Sequence, residues 1–399
     1  MKLDLFVYLG LALILALLSS KMIKKFHLPN VTAYLIMGLI AGPYMLKILP
    51  HESIESFEPI SEIALGFIAF SIGSEFKLSY LKKVGKAPIV IALFEALTAV
   101  VLVDIALIVT GHDLSFSLML GAIAAATAPA ATLMVVRQYK AEGPVTRTLM
   151  PVVAIDDAIA LMLFGISLTI VKTINATAEV SLFMTLMKPV IEIGAALALG
   201  AFMGYILTLM TRWFSGRGNR LSLTIAMIAL TLGLSKYFGL SELLSCMAMS
   251  AFFVNASKSS EDVFAQIDLF TPPIFMMFFF TSGADLNIRL LPSVGLVGVI
   301  YIVTRVIGKI SGATFGAALC KCEEPVRKYL GFTLIPQAGV AIGLATVALN
   351  VLPEYGQTIK VVILAGTVIY ELVGPVTTKI ALTKAGEIET VKEKKLSIA

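Results

Sequence analysis

Asp156 and Asp157 sit side by side in GPVTRTLMPVVAIDDAIALMLFGISLTI (residues 144–171), flanked on both sides by apolar runs. A stretch of this length and character crosses a bilayer as a helix. A charged group near the middle of a membrane costs several kcal/mol, so an intramembrane carboxylate marks a functional site. Here there are two, and no basic residue lies within reach along the same helix. Neighbouring helix positions point about 100° apart, so the two acids can face different surroundings and hold protons differently. Their chemistry is that of groups that carry a proton or a small cation.

Other residues are spaced to serve such a pair. Arg305 and Lys309 stand one turn apart in the apolar run 290–319, hence on one face of a helix. Buried cations need carboxylate partners. The acids deep in apolar runs are Asp156, Asp157, Glu95 and, less centrally, Asp104. We expect Lys309 to pair with Asp156, and Arg305 with Glu95 in a static bridge. Lysine changes protonation readily on burial whereas arginine stays charged, so Lys309 is the partner that a cation could release. Two further runs are interrupted, by Ala126-Thr127-Ala128-Pro129 and by Pro336-Gln337-Ala338-Gly339. Proline removes a backbone donor and frees carbonyls upstream, which a membrane tolerates where they line a polar cavity. The Thr127 hydroxyl and those carbonyls suit a small hard cation, and Gln337 stands in the matching place. Half-helix ends there would set partial charges beside the aspartates.

The elements that must position these residues are membrane spans. The chain is 58% hydrophobic and only 14% charged, against about 25% charge in soluble domains. Thirteen spans are expected, near 3–20, 31–49, 58–76, 87–110, 114–137, 146–171, 181–211, 220–237, 240–256, 264–284, 290–319, 327–350 and 357–381. Lys and Arg collect in the loops after odd-numbered spans, while the loop after the second carries Glu52, Glu55 and Glu58. That bias places the N-terminus outside and the C-terminus in the cytoplasm of a cytoplasmic (inner) membrane protein. It also accounts for the net charge of +5, which is no nucleic-acid footprint. The N-terminal run lacks a basic leader and a cleavage site, so it reads as the first span. Cys246, Cys320 and Cys322 are too few for a disulfide framework, and His27, His51 and His112 fall in loops without metal-ligand spacing.

The sequence also echoes itself. FSIGSEFKLS (70–79) matches FTSGADLNIR (280–289), and GAIAAATAPAATL (121–133) matches GFTLIPQAGVAIG (331–343), both at a displacement of 210. Glu95 and Arg305 are related by the same displacement, while Glu75 and Asp285 in the first motif read as interfacial charges. Seven spans separate the copies, so the second is upside down. The expected organisation is a first inverted repeat at 1–171, a linking span at 172–219, a second repeat at 220–383 and a short cytoplasmic tail at 384–399. Inverted repeats with paired broken helices belong to secondary transporters whose site lies at the midplane.

Ala154-Ile155-Asp156-Asp157-Ala158 and the Thr127-x-Pro129 break carry a resemblance. So do Leu28-Pro29, Gly38-Leu39-Ile40-Ala41-Gly42-Pro43, Lys309-x-x-Gly312 and Pro336-Gln337-Ala338-Gly339. With these motifs the whole chain resembles the cation/proton antiporter superfamily, in its branch with paired aspartates. The resemblance implies an all-α fold of thirteen helices with a core and a dimerisation domain, working as a homodimer by an elevator-like movement. It implies that Asp157 binds cation and proton in turn while Asp156 pairs with Lys309. Two positions depart from the pattern. Ala128 stands where many relatives have aspartate, and Arg305 lies one turn from Lys309. The chain ends soon after the last span, so no nucleotide-binding domain is expected.

The expected function is exchange of protons for Na⁺, Li⁺ or K⁺, with Asp157, Asp156 and Thr127 as ligands of the transported ion and no cofactor. A sodium-coupled symporter of an organic anion is the alternative, although it needs no paired aspartates with a buried lysine. An intramembrane aspartyl protease is disfavoured, because adjacent acids on one helix cannot straddle a scissile bond.

Overall fold

Inside a bilayer every backbone N–H and C=O must bond within its own segment or against protein. A computed structural model describes residues 4–26, 28–74, 76–78, 85–174 and 182–388, and there the chain meets this demand with helices alone. Glu75 and His27 lie outside the described residues. Eight described helices are long and apolar enough to cross a membrane, and a bent pair makes a ninth. The chain folds as two compact units, and each draws on both halves of the sequence.

The first unit comprises residues 1–22, 34–85 and 188–285. Its helices are α1 (Leu5–Ile23), most of α2 (Asn30–Ala41), α3 (His51–Ser56) and α4 (Glu58–Gly73). Most of α9 (Leu182–Trp213) follows, then α10 (Arg217–Phe238), α11 (Glu242–Ala256), α12 (Ser260–Phe270) and α13 (Pro272–Asp285). Small residues let these helices touch backbone to backbone, the usual means of packing where lipid is as apolar as the side chains. A Cβ on Gly42 would lie 2.7 Å from the Ala284 carbonyl oxygen, and one on Gly73 would strike Met247. Two expected spans differ from the sequence reading. The second stops being helical at Ala41, where Gly42-Pro43 turns the chain. The run 264–284 is not one rod: α12 and α13 meet at 52°, because Pro272-Pro273 deprives the helix of two donors.

The second unit comprises residues 23–33, 86–187 and 286–399, and it holds the charges. Its helices are α5 (Ala87–Val109), α6 (Leu114–Ala124), α7 (Pro129–Tyr139) and α8 (Pro144–Ile174) from the first half. From the second half come α14 (Gly295–Leu319), α15 (Glu324–Tyr329) with a 3₁₀ turn at Leu330–Thr333, α16 (Gly339–Val351) and α17 (Pro353–Lys384). The displacement of 210 is visible in the elements themselves. Pro129 opens α7 and Gly339 opens α16; Leu114 opens α6 and Glu324 opens α15.

The central pair is α5 and α14. Gly308, Gly312 and Gly316 recur every fourth residue and so form one stripe. It lies directly on Ala99, Glu95 and Ile91, the matching stripe of α5. A Cβ on Gly312 would lie 2.6 Å from the Glu95 Cα, a backbone atom that cannot swing aside. Gly312→Leu should therefore force α5 and α14 apart. Overpacking costs about 1–3 kcal/mol or more, so we expect a clear fall in the unfolding temperature of the detergent-purified protein; an unchanged temperature would refute this packing.

Candidate functional site

Two helices stop short at the centre of the second unit. α6 ends at Ala124, the chain runs through Ala125–Ala128, and α7 restarts at Pro129. Proline suits a first helical position, where its missing N–H has no partner to lose. On the other side the 3₁₀ turn ends at Thr333, and α16 restarts at Gly339. The two interruptions bind each other. The Ala128 amide donates to the Pro336 carbonyl at 2.9 Å, and Thr132 Oγ1 donates to the Thr333 carbonyl at 3.0 Å. Gln337 Nε2 donates to the Ile123 carbonyl at 2.9 Å, while its Oε1 accepts from the Tyr301 hydroxyl at 2.9 Å.

Helix ends that stop inside a membrane leave carbonyls without partners. Arg305 supplies them. Its Nε donates to the Ala124 carbonyl at 3.0 Å, Nη2 to Ala126 at 2.7 Å and Nη1 to Ile335 at 2.7 Å. Its guanidinium carbon lies 4.4 Å above the Tyr370 ring. One rigid cation thus holds both interruptions, matching the guanidinium's several N–H groups and its attraction to an aromatic face.

This corrects the expected Arg305–Glu95 bridge. The glycine stripe sets Glu95 opposite Gly312 and Ala99 opposite Gly308, so Glu95 lies beside the Lys309 turn and not beside Arg305. Lys309 Nζ stands 2.6 Å from Glu95 Oε2 and 3.3 Å from Asp156 Oδ2. It also donates to Thr127 Oγ1 at 2.8 Å and to the Ala125 carbonyl. The expected Lys309–Asp156 pair is present, but a second carboxylate shares it. Lys309 and these four partners are all buried. Asp157 is buried as well; it has no ion pair among the described residues, and its Oδ1 bonds to nothing.

The structure therefore gathers Asp156, Thr127, Lys309, Arg305, Glu95, Pro129, Pro336 and Gln337 around the two breaks, with Asp157 next in chain to Asp156. Asp104 is apart from them, set against Gly121. The sequence reading missed two acids. Glu371 is buried in α17, and its signal was a lone glutamate inside the apolar run LAGTVIYELVGPV. Glu387, placed by the sequence in a short cytoplasmic tail, is buried too. Its carboxylate accepts from the Val145 amide at 2.5 Å, the Thr146 amide at 2.8 Å and Thr146 Oγ1 at 2.6 Å. That caps the first turn of α8, where amides lack partners and a negative charge is favoured.

The chain as a whole is similar to known proteins. Residues 9–384 fit the family described as "Sodium/hydrogen exchanger, transmembrane". The Na(+)/H(+) antiporter 1 of Methanocaldococcus jannaschii is 29% identical over 198 residues, 48% of this chain and 46% of that protein, so the matched segment spans about half of that relative. The ammonium/H(+) antiporter subunit AmhT of Alkalihalophilus pseudofirmus is 22% identical over 85% of each chain. The electron-microscopy structure of the sodium proton antiporter MjNhaP1 from Methanocaldococcus jannaschii shares the fold, with a TM-score of 0.76 at 22% identity over 98% of this chain and 100% of that one. A membrane chain whose described residues are helical, with two helix breaks bonded to each other, and which is matched from residue 9 to residue 384, belongs to the sodium/hydrogen exchanger family.

Proposed function

We propose that this chain is a secondary antiporter that exchanges protons for monovalent cations, Na⁺ before Li⁺ or K⁺, with both competing for Asp157. One observation carries the reading: Lys309 pairs with Glu95 and Asp156 together, which leaves Asp157 as the acid beside them with no ion pair among the described residues. With the groups around the two breaks ionised, the carboxylates of Glu95, Asp156 and Asp157 stand against the two cations Lys309 and Arg305. One proton or one Na⁺ on Asp157 balances them. The balanced core can move past lipid, and the unbalanced one pays the cost of a buried charge. Exchange follows without any further device.

Thr127 and Asp156 are the other ligands of the transported ion in this reading. Their oxygens already meet a cation, the Lys309 ammonium, so they can meet a second kind if that ammonium shifts. No cofactor is needed. The M. jannaschii and A. pseudofirmus relatives carry antiporter names for Na⁺ and ammonium, which supports a monovalent cation. None of the relatives described above speaks for the organic-anion symporter.

The same reading places the chain in the cytoplasmic membrane with its N-terminus outside and its C-terminus inside, as the basic loops favour. It takes the two halves as inverted repeats and the working form as a homodimer.

Two substitutions separate transport from architecture. In liposomes with an imposed pH gradient, Asp157→Asn should abolish Na⁺-driven proton movement while its unfolding temperature stays at or above that of the parent protein. Exchange at the parent rate would end the proposal. Arg305→Lys should do the reverse in stability. A lysine cannot reach three carbonyls set in a fork, and each buried acceptor left unpaired costs about 1–3 kcal/mol. The expected readout is a lower unfolding temperature in detergent; an unchanged temperature would contradict the Arg305 clamp.

A further inference from the structure

Glu371 has no role in the site above, yet it is 5% exposed in the middle of α17. Among the described residues no basic side chain forms an ion pair with it. The elements packed on α17 explain why. α6 and α16 carry no charged residue, and the charges of α14, Arg305 and Lys309, are committed to the helix breaks and to Glu95 and Asp156. On the remaining elements Arg289, Glu324, Arg327 and Lys328 are exposed, and Arg137 and Tyr139 lie at the far end of α7 by Lys379.

Thr367 stands one turn before Glu371, and helical side chains lean toward the N-terminus, so the glutamate reaches over the threonine. Thr367 Oγ1 is buried and makes no hydrogen bond among the described residues. Other helix threonines here, such as Thr304, Thr346 and Thr383, donate to the carbonyl four residues back. Gly374 lies on the same face and touches Pro336: a Cβ there would be 2.6 Å from Pro336 Cγ. The Thr367–Glu371 face thus looks toward the second helix break. The displacement of 210 puts Thr367 where the first half has Asp157. A lone carboxylate in an apolar interior is held neutral by a bound positive ion, and a carboxylate with a hydroxyl is a ligand set for a small hard cation.

We infer that Glu371 and Thr367 form a second ion site, at the α16 break, where a proton and an alkali cation bind in turn. The site is the counterpart of Asp157 in the other half of the sequence, moved one turn along its helix. The inference rests on the exchange reading only for its choice of alkali cations as occupants.

Infrared difference spectroscopy of the purified chain in lipid tests it. Parent protein minus Glu371→Gln should show one protonated-carboxyl stretch, and added Na⁺, Li⁺ or K⁺ should diminish it. Thr367→Val keeps the carboxyl but loses the hydroxyl ligand, so the cation concentration for half the effect should rise about tenfold. Asp157→Asn should leave the Glu371 band and its response in place. No such band, or a band that no alkali cation diminishes, would overturn the second site. These spectra do not depend on transport, so failure of the exchange reading appears separately, as unaltered proton movement in Asp157→Asn liposomes.

Discussion

The Lys309 ammonium can stay buried only because four oxygens surround it. A buried charge without partners costs several kcal/mol, and a bilayer offers no water in compensation. Much of the second unit follows from that requirement. Glu95 reaches the ammonium because α5 and α14 lie in direct backbone contact along Gly308, Gly312 and Gly316. Thr127 and Ala125 reach it because α6 ends early. Asp156 reaches it from α8, whose start is anchored by Glu387. Close packing, a broken helix and an anchored helix are three answers to one electrostatic demand.

The two cations of α14 divide the work according to their chemistry. Arginine has donors in a fixed planar fork and does not lose its charge, so it suits carbonyls that never move apart. Lysine is a compact charge on a flexible stem with only three protons, and here four oxygens compete for them. Such a group is shared loosely and can be shared differently. That contrast explains why residues one turn apart on the same helix face form such different sets of bonds.

Much of this was legible in the sequence. Apolar runs gave the helices, since length and hydropathy suffice in a membrane. The proline and glycine interruptions gave the breaks, and paired Asp156–Asp157 with Lys309 gave the centre of the charge cluster. The partner of Arg305 was not legible. It depended on the register between α5 and α14, which glycine positions fix to the ångström but which a displacement of 210 only suggests. Backbone carbonyls as arginine partners were hidden as well, because any residue type supplies them. Glu371 escaped notice as a single acid without a motif. The bend at Thr271 was hidden by the high apolarity of the residues on either side.

The Glu387 cap carries the packed structure past the end of α17. Hydropathy would stop the protein at the last apolar residues of α17, with everything after them as free polymer. Instead the glutamate ties residue 387 to residues 145 and 146. That clasp closes a loop of more than half the chain, and closing so long a loop costs little more chain entropy than closing a short one. The segment that follows α17 is thus fastened at Glu387 to the start of the aspartate-bearing helix, so a pull on Glu387 is felt there first.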